Sequence, residues 1–194
     1  MSSSDFDTRT KILMATWELM EKSGGKNVHM SHIAKAVGIS RQAVYLHFAS
    51  RNELMIATME YVDEVKGLNE RLEQLHAVSD SVELLQKSIA VWGNYIPEIY
   101  GLAKGLLSTK DTDEAAAAAW NNSMQCLADA CRVAIQALHD EQRLAWSGSI
   151  DEGVQMLFAM LSIQTWEQLT IEFGWPQATY LDHIMKVARN TFVA

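Results

Sequence analysis

Apolar residues recur at three- and four-residue spacing through the first part of the chain, a pattern typical of amphipathic helices. The spacing predicts a helix over 8–21, ended by Gly24 and Gly25, and a short helix over 29–37, followed by Gly38. A third helix is predicted over 41–48, where Ser40 is suited to be the N-cap. The capping-box pattern from Ser50 to Glu53 begins a fourth helix, which we expect to continue beyond residue 65.

The later pattern is also helical, with longer segments rich in Ala, Leu, Met, Glu and Gln. Pro97 predicts a kink or break between helices over 80–92 and 99–107. Further helices are predicted over 111–138, over 150–173 and from Pro176 to about residue 192. No alternating run indicates a β-strand. The expected fold is all-α with about nine helices: a three-helix helix-turn-helix head followed by a helical bundle.

Composition limits the function classes. The 194 residues are 48% hydrophobic and 21% charged, which excludes disorder, and no apolar run is long enough to span a membrane. The polar start of the chain predicts no secretory signal. Two cysteines, Cys126 and Cys131, do not make a disulfide scaffold, so we expect a reducing cytoplasmic location.

Charge is unevenly distributed along the chain. Residues 1–56 carry seven Lys/Arg and five Asp/Glu, which is a net charge of +2. The remainder carries nine Lys/Arg and nineteen Asp/Glu, which is a net charge of −10. If the protein meets a polyanion, the N-terminal segment is the part expected to contact it.

The segment from His29 to Phe48 has the form of a helix-turn-helix. Gly38 suits the tight turn because glycine adopts positive φ without strain. Val44 and Phe48 lie four residues apart and would anchor the second helix to the core. Its other face then presents side chains suited to base edges and phosphates: Arg41, Gln42, Tyr45 and His47. An ordinary three-helix packing unit with a polar outer face remains the alternative.

The same residues resemble a known family. Residues 33–40 (IAKAVGIS), 43–48 (AVYLHF) and 51–54 (RNEL) are similar in order and spacing to the TetR (tetracycline repressor) family of transcriptional regulators. The resemblance covers about residues 7–61, and the other two thirds match only in length and helicity. It implies sequence-specific binding of double-stranded operator DNA, with repression as the expected effect and activation as the alternative.

The resemblance also implies roles for individual positions. Arg41, Gln42 and Ala43 fall where the family contacts base edges, and Tyr45 and His47 where it commonly contacts phosphates. Arg51 falls at a basic position that often contacts phosphate. His29 stands where Thr is usual, with Ser31 as an alternative donor. The candidate DNA-binding residues are His29, Ser31, Ser40, Arg41, Gln42, Ala43, Tyr45, His47 and Arg51.

Family resemblance further implies a homodimer formed by the last two long helices, and hence a pseudo-palindromic operator. We expect a DNA-binding domain over 5–65, with the helix-turn-helix over 29–48, and a ligand-binding and dimerisation domain over 66–194. A monomer with a well-filled core is the alternative.

Aromatic and methionine side chains are frequent in the middle helices and suit an adaptable pocket for a largely apolar or aromatic inducer. Core filling is the competing interpretation. The candidate ligand-binding residues are Trp92, Tyr95, Tyr100, Trp120, Met124, Met156, Met160 and Trp166.

Enzymatic and metal chemistry have little support in the sequence. Cys126 and Cys131 would lie about 140° apart on a helix, and His29 with His32 lacks a nearby acidic or cysteine partner. No nucleophile elbow, phosphate-binding glycine loop or dinucleotide fingerprint is present. We expect no catalysis, cofactor, metal or membrane partner. The other candidate classes are a helical ligand-binding or scaffold protein that no longer binds DNA, and a small helical enzyme.

Overall fold

The computed structural model describes residues 7–24 and 28–194. Three predictions fall wholly or partly outside this range. The start of the head domain at residue 5 lies outside it, as does most of the polar N-terminal stretch. Gly25, one of the two glycines expected to end the first helix, also lies outside, whereas Gly24 is described and occupies the C-cap with φ +58°.

The all-α expectation is confirmed. The helices are α1 Thr8–Ser23, α2 Met30–Val37, α3 Arg41–His47, α4 Arg51–Val65, α5 Leu68–Glu73, α6 Ser81–Thr109, α7 Glu114–Asp140, α8 Ile150–Met160, α9 Ile163–Glu167 and α10 Gln177–Phe192. A 3₁₀ turn covers Gln74–Ala77, and a π-helical turn covers Gln168–Glu172. The described residues contain no strand, only an antiparallel bridge between Leu144 and Val193. None of their helices combines the length and apolar character that crossing a bilayer requires.

The chain divides into two compact units. Unit 1 comprises Met1–Lys66 and Tyr100–Ser123, and unit 2 comprises Gly67–Ile99 and Met124–Ala194. The expectation that α4 continues past the head is wrong, because α4 ends at Val65 and Gly67 follows with φ +69°. The functional boundary at residues 65 and 66 stays a prediction.

Hydroxyl and carboxyl caps fix the starts of the head helices. Asp7, Ser40 and Ser50 each accept a hydrogen bond from a backbone N–H in the first turn of the helix that follows. The predicted box at Ser50 is only half present, because the Glu53 carboxylate accepts from the N–H of Ala49 instead. The helices enclose a core that includes Ile12, Ile33, Val44, Phe48 and Leu54.

Of the kink or break predicted at Pro97, the break does not occur, because α6 runs through that residue without ending. Pro97 has no N–H to donate to the carbonyl oxygen of Gly93, four residues earlier. The side-chain amide of Gln177 donates to that oxygen at 2.9 Å. The carbonyl that proline would leave unpaired is therefore satisfied from α10.

The single helix predicted over 150–173 is also wrong. α8 begins at Ile150 with the expected capping box of Ser149 and Glu152, but it ends at Met160. Ser162 then accepts a hydrogen bond from the N–H of Thr165 and begins α9. Serine competes with helical backbone hydrogen bonding in this way, which explains the interruption.

Candidate nucleic-acid interface

The turn between α2 and α3 is built as the sequence pattern predicts. Gly38 has φ +80°, and its N–H donates to the carbonyl oxygen of Ala34 at 2.9 Å. The N–H of Ile39 donates to the same oxygen at 3.0 Å. Ser40 then caps α3 by accepting from the N–H of Ala43 at 3.1 Å. This arrangement ends α2 and starts α3 within three residues, which fixes the direction of α3.

One face of α3 is anchored and the other is open. Val44, on α3, and Phe48, its C-cap, are fully buried. Arg41, Gln42 and His47 are exposed, and Tyr45 is 40% exposed. The polar side chains predicted to face DNA therefore lie on the open side of a helix held by two buried anchors.

Arg41 and Tyr45 form a pair on this open face. Arg41 Nη2 donates to the Tyr45 hydroxyl at 3.2 Å, and the guanidinium lies 5.5 Å from the centre of the tyrosine ring. Because both contacts restrict the long arginine side chain, less conformational entropy is lost when Arg41 engages a ligand.

The start of α2 carries two histidines. His29 occupies the N-cap, but its side chain makes no capping hydrogen bond. The His29 and His32 rings lie 5.5 Å apart between centroids. Ser31 is exposed beside them. His29 and Ser31 are two of the DNA contacts predicted from the sequence, whereas His32 is not.

Arg51 is placed differently from the other candidates. Its Nη1 and Nη2 atoms donate to the two carboxylate oxygens of Asp113 at 2.6 and 2.7 Å, and its Nε donates to the carbonyl oxygen of Val28. Its side chain is only 21% exposed. This geometry assigns Arg51 an internal structural role and does not favour the predicted phosphate contact.

Asp113 has two sets of partners at the start of α7. Besides binding Arg51, its carboxylate accepts from the backbone N–H groups of Ala115 and Ala116 at 3.0 and 3.2 Å. The Arg51 guanidinium, followed by the backbone donors, holds the pKa of Asp113 below its usual range. The ionised carboxylate is therefore part of the folded structure of unit 1.

Other charges near the open face are partly balanced. A hydrogen bond from Thr10 lowers the pKa of Asp7, and the charges of His47 and Arg9 lower it further. The Arg9 guanidinium lies 4.7 Å from the centre of the Phe48 ring. Arg9 therefore covers one of the two anchors of the α3 segment.

The candidate ligand-binding residues are divided between the units. Tyr100 and Trp120 belong to unit 1, and the other six belong to unit 2. Within unit 2, Trp92 packs edge-on to Tyr95 at 6.3 Å, and Trp166 donates to the Gln177 side chain at 2.8 Å. Met156 is 42% exposed. A single shared site for all eight residues stays a prediction.

Unit 2 contains buried polar atoms without a hydrogen-bond partner. Among them, Trp92 Nε1 and the Tyr180 hydroxyl make no hydrogen bond to any described residue. Burial raises the pKa of Tyr180 to about 12, so the phenol stays protonated and can donate a hydrogen bond. Tyr180 is not among the candidates predicted from the sequence, because a tyrosine at an apolar helix position gives no local sign that its hydroxyl is unpaired.

The cysteines and histidines show no metal site. Among the described residues, no cluster of three or more metal-ligating side chains occurs. Cys126 is exposed and Cys131 is buried, and burial raises the pKa of the Cys131 thiol to about 12.

An all-α fold with an N-terminal helix-turn-helix that exposes polar side chains is typical of helix-turn-helix regulatory proteins. Residues 12–58 match the family model of bacterial regulatory proteins of the tetR family. Over these residues the chain is similar to the tetR family. That model describes bacterial regulatory proteins, as the resemblance implied.

A curated relative shares part of the sequence. The chain is 36% identical over 64 residues to nucleoid occlusion factor SlmA of Marinomonas sp. (strain MWYL1), an alignment that covers 33% of this chain and 32% of the relative. The chain spans between about a third and a half of the length of the curated relatives it matches.

Solved structures match over nearly the whole chain. FadR from Bacillus subtilis in complex with stearoyl-CoA gives a TM-score of 0.74 at 14% identity, covering 94% of this chain and 98% of that one. A second match is NalD, the secondary repressor of the MexAB-OprM multidrug efflux pump in Pseudomonas aeruginosa. Its TM-score is 0.70 at 20% identity, and the match covers 96% of each chain. At these identities the likeness establishes the fold.

Proposed function

We propose that this protein is a homodimeric transcriptional repressor that binds a pseudo-palindromic operator and leaves it when a small, largely apolar or aromatic molecule binds. The observation that carries the proposal is the open face of α3, where Arg41, Gln42 and Tyr45 are exposed above the buried Val44 and Phe48. Arginine and glutamine match the hydrogen-bonding edges of guanine and adenine in the major groove. Because bacterial operators lie on the chromosome, the expected location is the cytoplasm.

The other candidate residues divide into supporting roles. Ala43, beside Arg41 and Gln42, provides a small apolar contact for bases, while Ser40, His47, His29 and Ser31 offer donors for the phosphates that position α3. Arg51 supports the head from inside through Asp113 and Val28. DNA recognition therefore depends on α3 and the start of α2, and not on the start of α4.

The inducer is expected in unit 2, where Trp92, Tyr95 and Trp166 are buried. The unpaired Trp92 indole and Tyr180 phenol are both hydrogen-bond donors, so an apolar molecule with an acceptor, such as a carbonyl oxygen, would suit them. Such a molecule changes DNA affinity only if it binds the two conformations of the protein with different affinities.

Dimerisation is supported by exposed apolar side chains on the last helices. Met156 on α8 and Val187 on α10 are 42% and 48% exposed. A two-fold dimer through these helices would present two copies of α3 to successive major grooves, roughly 34–36 Å apart.

The test begins with selection of bound sequences from a random duplex pool, followed by titration of the selected duplex at several salt concentrations. A palindromic consensus and a logarithm of affinity that falls linearly with the logarithm of salt concentration support the proposal. Equal affinity for selected and scrambled duplexes would contradict a sequence-specific regulator and favour a scaffold protein.

Similarity to nucleoid occlusion factors supports DNA binding by the head. The 64 matched residues make up only a third of this chain, so we do not extend nucleoid occlusion to it. Release from duplex DNA by a small molecule is the property that the proposed repressor requires.

A further inference from the structure

Leu46 on α3 is the most exposed large hydrophobic side chain among the described residues, with 86% of its surface open to solvent. A single exposed leucine is common on protein surfaces and indicates nothing by itself. The position of Leu46 on the open face of α3, and the kinds of side chain around it, make this leucine informative.

Leu46 and Gln42 point most directly away from the core of the head. Successive residues of an α-helix are turned by about 100°, so Gln42 and Leu46 lie about 160° and 200° around α3 from Val44. Val44 is fully buried, whereas Gln42 and Leu46 are exposed. Residues four apart are neighbours on a helix surface. Gln42 and Leu46 therefore form a row along the centre of the open face.

Polar side chains border this row. Arg41 and Tyr45, joined by their 3.2 Å hydrogen bond, lie on one side, and the exposed His47 lies on the other. Within the described part of unit 1, the other exposed large hydrophobic side chains are Tyr45 and Val65, and Val65 is at the far end of α4. A protein partner would need a continuous apolar patch, which this face does not offer. Leu46 instead suits a polar surface that carries one small apolar group.

We propose that Leu46 is a specificity-determining residue that selects thymine through contact with its C5-methyl group in the major groove, an inference that rests on the proposed function. Among the donors and acceptors that base pairs present in that groove, the thymine methyl is the apolar group. A polar base edge facing Leu46 would lose water without gaining a hydrogen bond. Leu46 therefore favours thymine and also disfavours the other bases.

Gln42 limits where this thymine lies. A glutamine can bind the N6 and N7 atoms of adenine with two hydrogen bonds. Residues four apart are separated by about 6 Å along a helix axis, and successive base pairs by about 3.4 Å along the duplex. The thymine that Leu46 contacts is therefore expected within two base pairs of the adenine that Gln42 reads, in each half-site.

The experiment uses the whole chain and the duplex selected from the random pool. Each thymine of one half-site, together with its symmetry mate, is replaced in turn by deoxyuridine, which removes only the methyl group. Fluorescence anisotropy at one salt concentration measures the affinity. One such replacement should weaken wild-type binding by about 10- to 20-fold, because burial of one methyl group corresponds to roughly fourfold in each half-site.

Three variants assign this effect to Leu46. Leu46→Ala should weaken binding to the thymine duplex and bind the thymine and deoxyuridine duplexes equally. Leu46→Met keeps an apolar side chain of similar length and should keep most of the thymine preference. Val65→Ala is the matched control, because Val65 is 52% exposed and lies outside the open face of α3. It should keep the full preference, and circular dichroism verifies that each variant is folded.

A wild-type affinity that no deoxyuridine replacement changes would overturn the proposal. A thymine preference that survives in Leu46→Ala, or that is also lost in Val65→Ala, would overturn it too. In these cases the selected duplex is still bound, so the proposed function stands. Absence of any selected consensus would contradict the proposed function itself, and this inference with it.

Discussion

The side-chain amide of Gln177 on α10 donates to the carbonyl oxygen of Gly93 on α6, the acceptor that Pro97 cannot serve. The same side chain accepts from Trp166 Nε1 at 2.8 Å, so Gln177 joins three helical segments of unit 2. Gly93 also permits a close approach, because a Cβ there would lie 2.5 Å from Leu181 Cδ2. The continuity of α6 therefore depends on residues far away in the sequence.

The first prediction concerns this replacement hydrogen bond. Gln177→Ala should lower the free energy of unfolding by about 1–3 kcal/mol, because it removes the hydrogen bonds of the Gln177 side chain to the Gly93 carbonyl oxygen and to Trp166 Nε1. In a Pro97→Ala background the loss should be smaller, since an alanine at that position has an N–H that can donate to Gly93 in the helical manner. Urea unfolding of the four proteins of this double-mutant cycle measures the coupling.

The variant Trp166→Phe is the control for the second hydrogen bond of the Gln177 side chain, which it accepts from Trp166 Nε1. Combined with Gln177→Ala, it tests the hydrogen bond between Trp166 and Gln177. The coupling energy of these two substitutions should be the same whether residue 97 is proline or alanine. Additive effects of Pro97→Ala and Gln177→Ala would show that Gln177 does not substitute for the missing backbone donor.

The second prediction concerns the N-cap of α2. Because the His29 side chain makes no capping hydrogen bond, His29→Thr should stabilise the protein by about 0.5–1 kcal/mol. Thermal unfolding at neutral pH measures the change. The matched control is His32→Thr, inside the first turn, which should not stabilise α2. Equal effects at both positions would argue against capping as the cause.

The third prediction is a pH dependence of stability from Asp113. Its folded-state pKa is lowered, so the ionised carboxylate stabilises the folded state above the unfolded-state pKa, and this contribution disappears as the pH falls through the folded-state pKa. Asp113→Asn should retain the cap of α7 but lower the unfolding free energy by about 1–2 kcal/mol near neutral pH. The difference from wild type should vanish in acid.

Asp111→Asn is the control for that experiment, because the Asp111 side chain is 83% exposed and its carboxylate pairs with the adjacent residue, Lys110. Its removal should change stability by less than about 0.5 kcal/mol. A stability difference between wild type and Asp113→Asn that is constant down to the acid limit would contradict the charge pair as its source.

The fourth prediction concerns the Arg41 and Tyr45 pair. Arg41→Ala should weaken binding to the selected operator by about 1–3 kcal/mol and relax the preference at one base pair. Tyr45→Phe should cause a smaller loss, because the ring that Arg41 stacks on is retained and only the 3.2 Å hydrogen bond is removed. Arg132→Ala, in unit 2, is the control. Unchanged specificity in Arg41→Ala would remove Arg41 from the base-reading set.

The fifth prediction tests the dimer. Met156→Glu and Val187→Glu should each raise the dimer dissociation constant by about 100-fold, since a carboxylate would be buried against an apolar partner. Sedimentation equilibrium measures this constant. Val133→Glu is the matched control, because Val133 on α7 is 58% exposed and lies outside the proposed interface. Equal weakening by all three variants would argue against α8 and α10 as the contact.

Local patterns predicted the head well because its signals are short-ranged. Gly38 and Ser40 act within a few residues, and the anchors Val44 and Phe48 follow from helical spacing. The polar open face of α3 followed from the same spacing. The role of Arg51 could not be predicted from local spacing, because its partner Asp113 is 62 residues away in the sequence.

The body was predicted less accurately because long-range contacts override local rules there. Pro97 is a helix breaker by local rules, and only Gln177, 84 residues from Gly93, explains why α6 continues. Ser162 is an ordinary residue in an apolar helical pattern, yet it starts a new helix. The unpaired Tyr180 hydroxyl likewise depends on what surrounds it, which no periodicity reveals.

The internal binding of Arg51 has a consequence for how the head meets DNA. Its charge is neutralised inside the protein by Asp113, Lys22 is paired with Glu18, and Arg9 lies over an aromatic ring. Fewer counterions are then displaced when a duplex is bound, so the affinity for DNA would depend less on salt concentration than that of a strongly basic DNA-binding protein. Discrimination between sites would come from a small number of directed contacts instead of general attraction to the polymer.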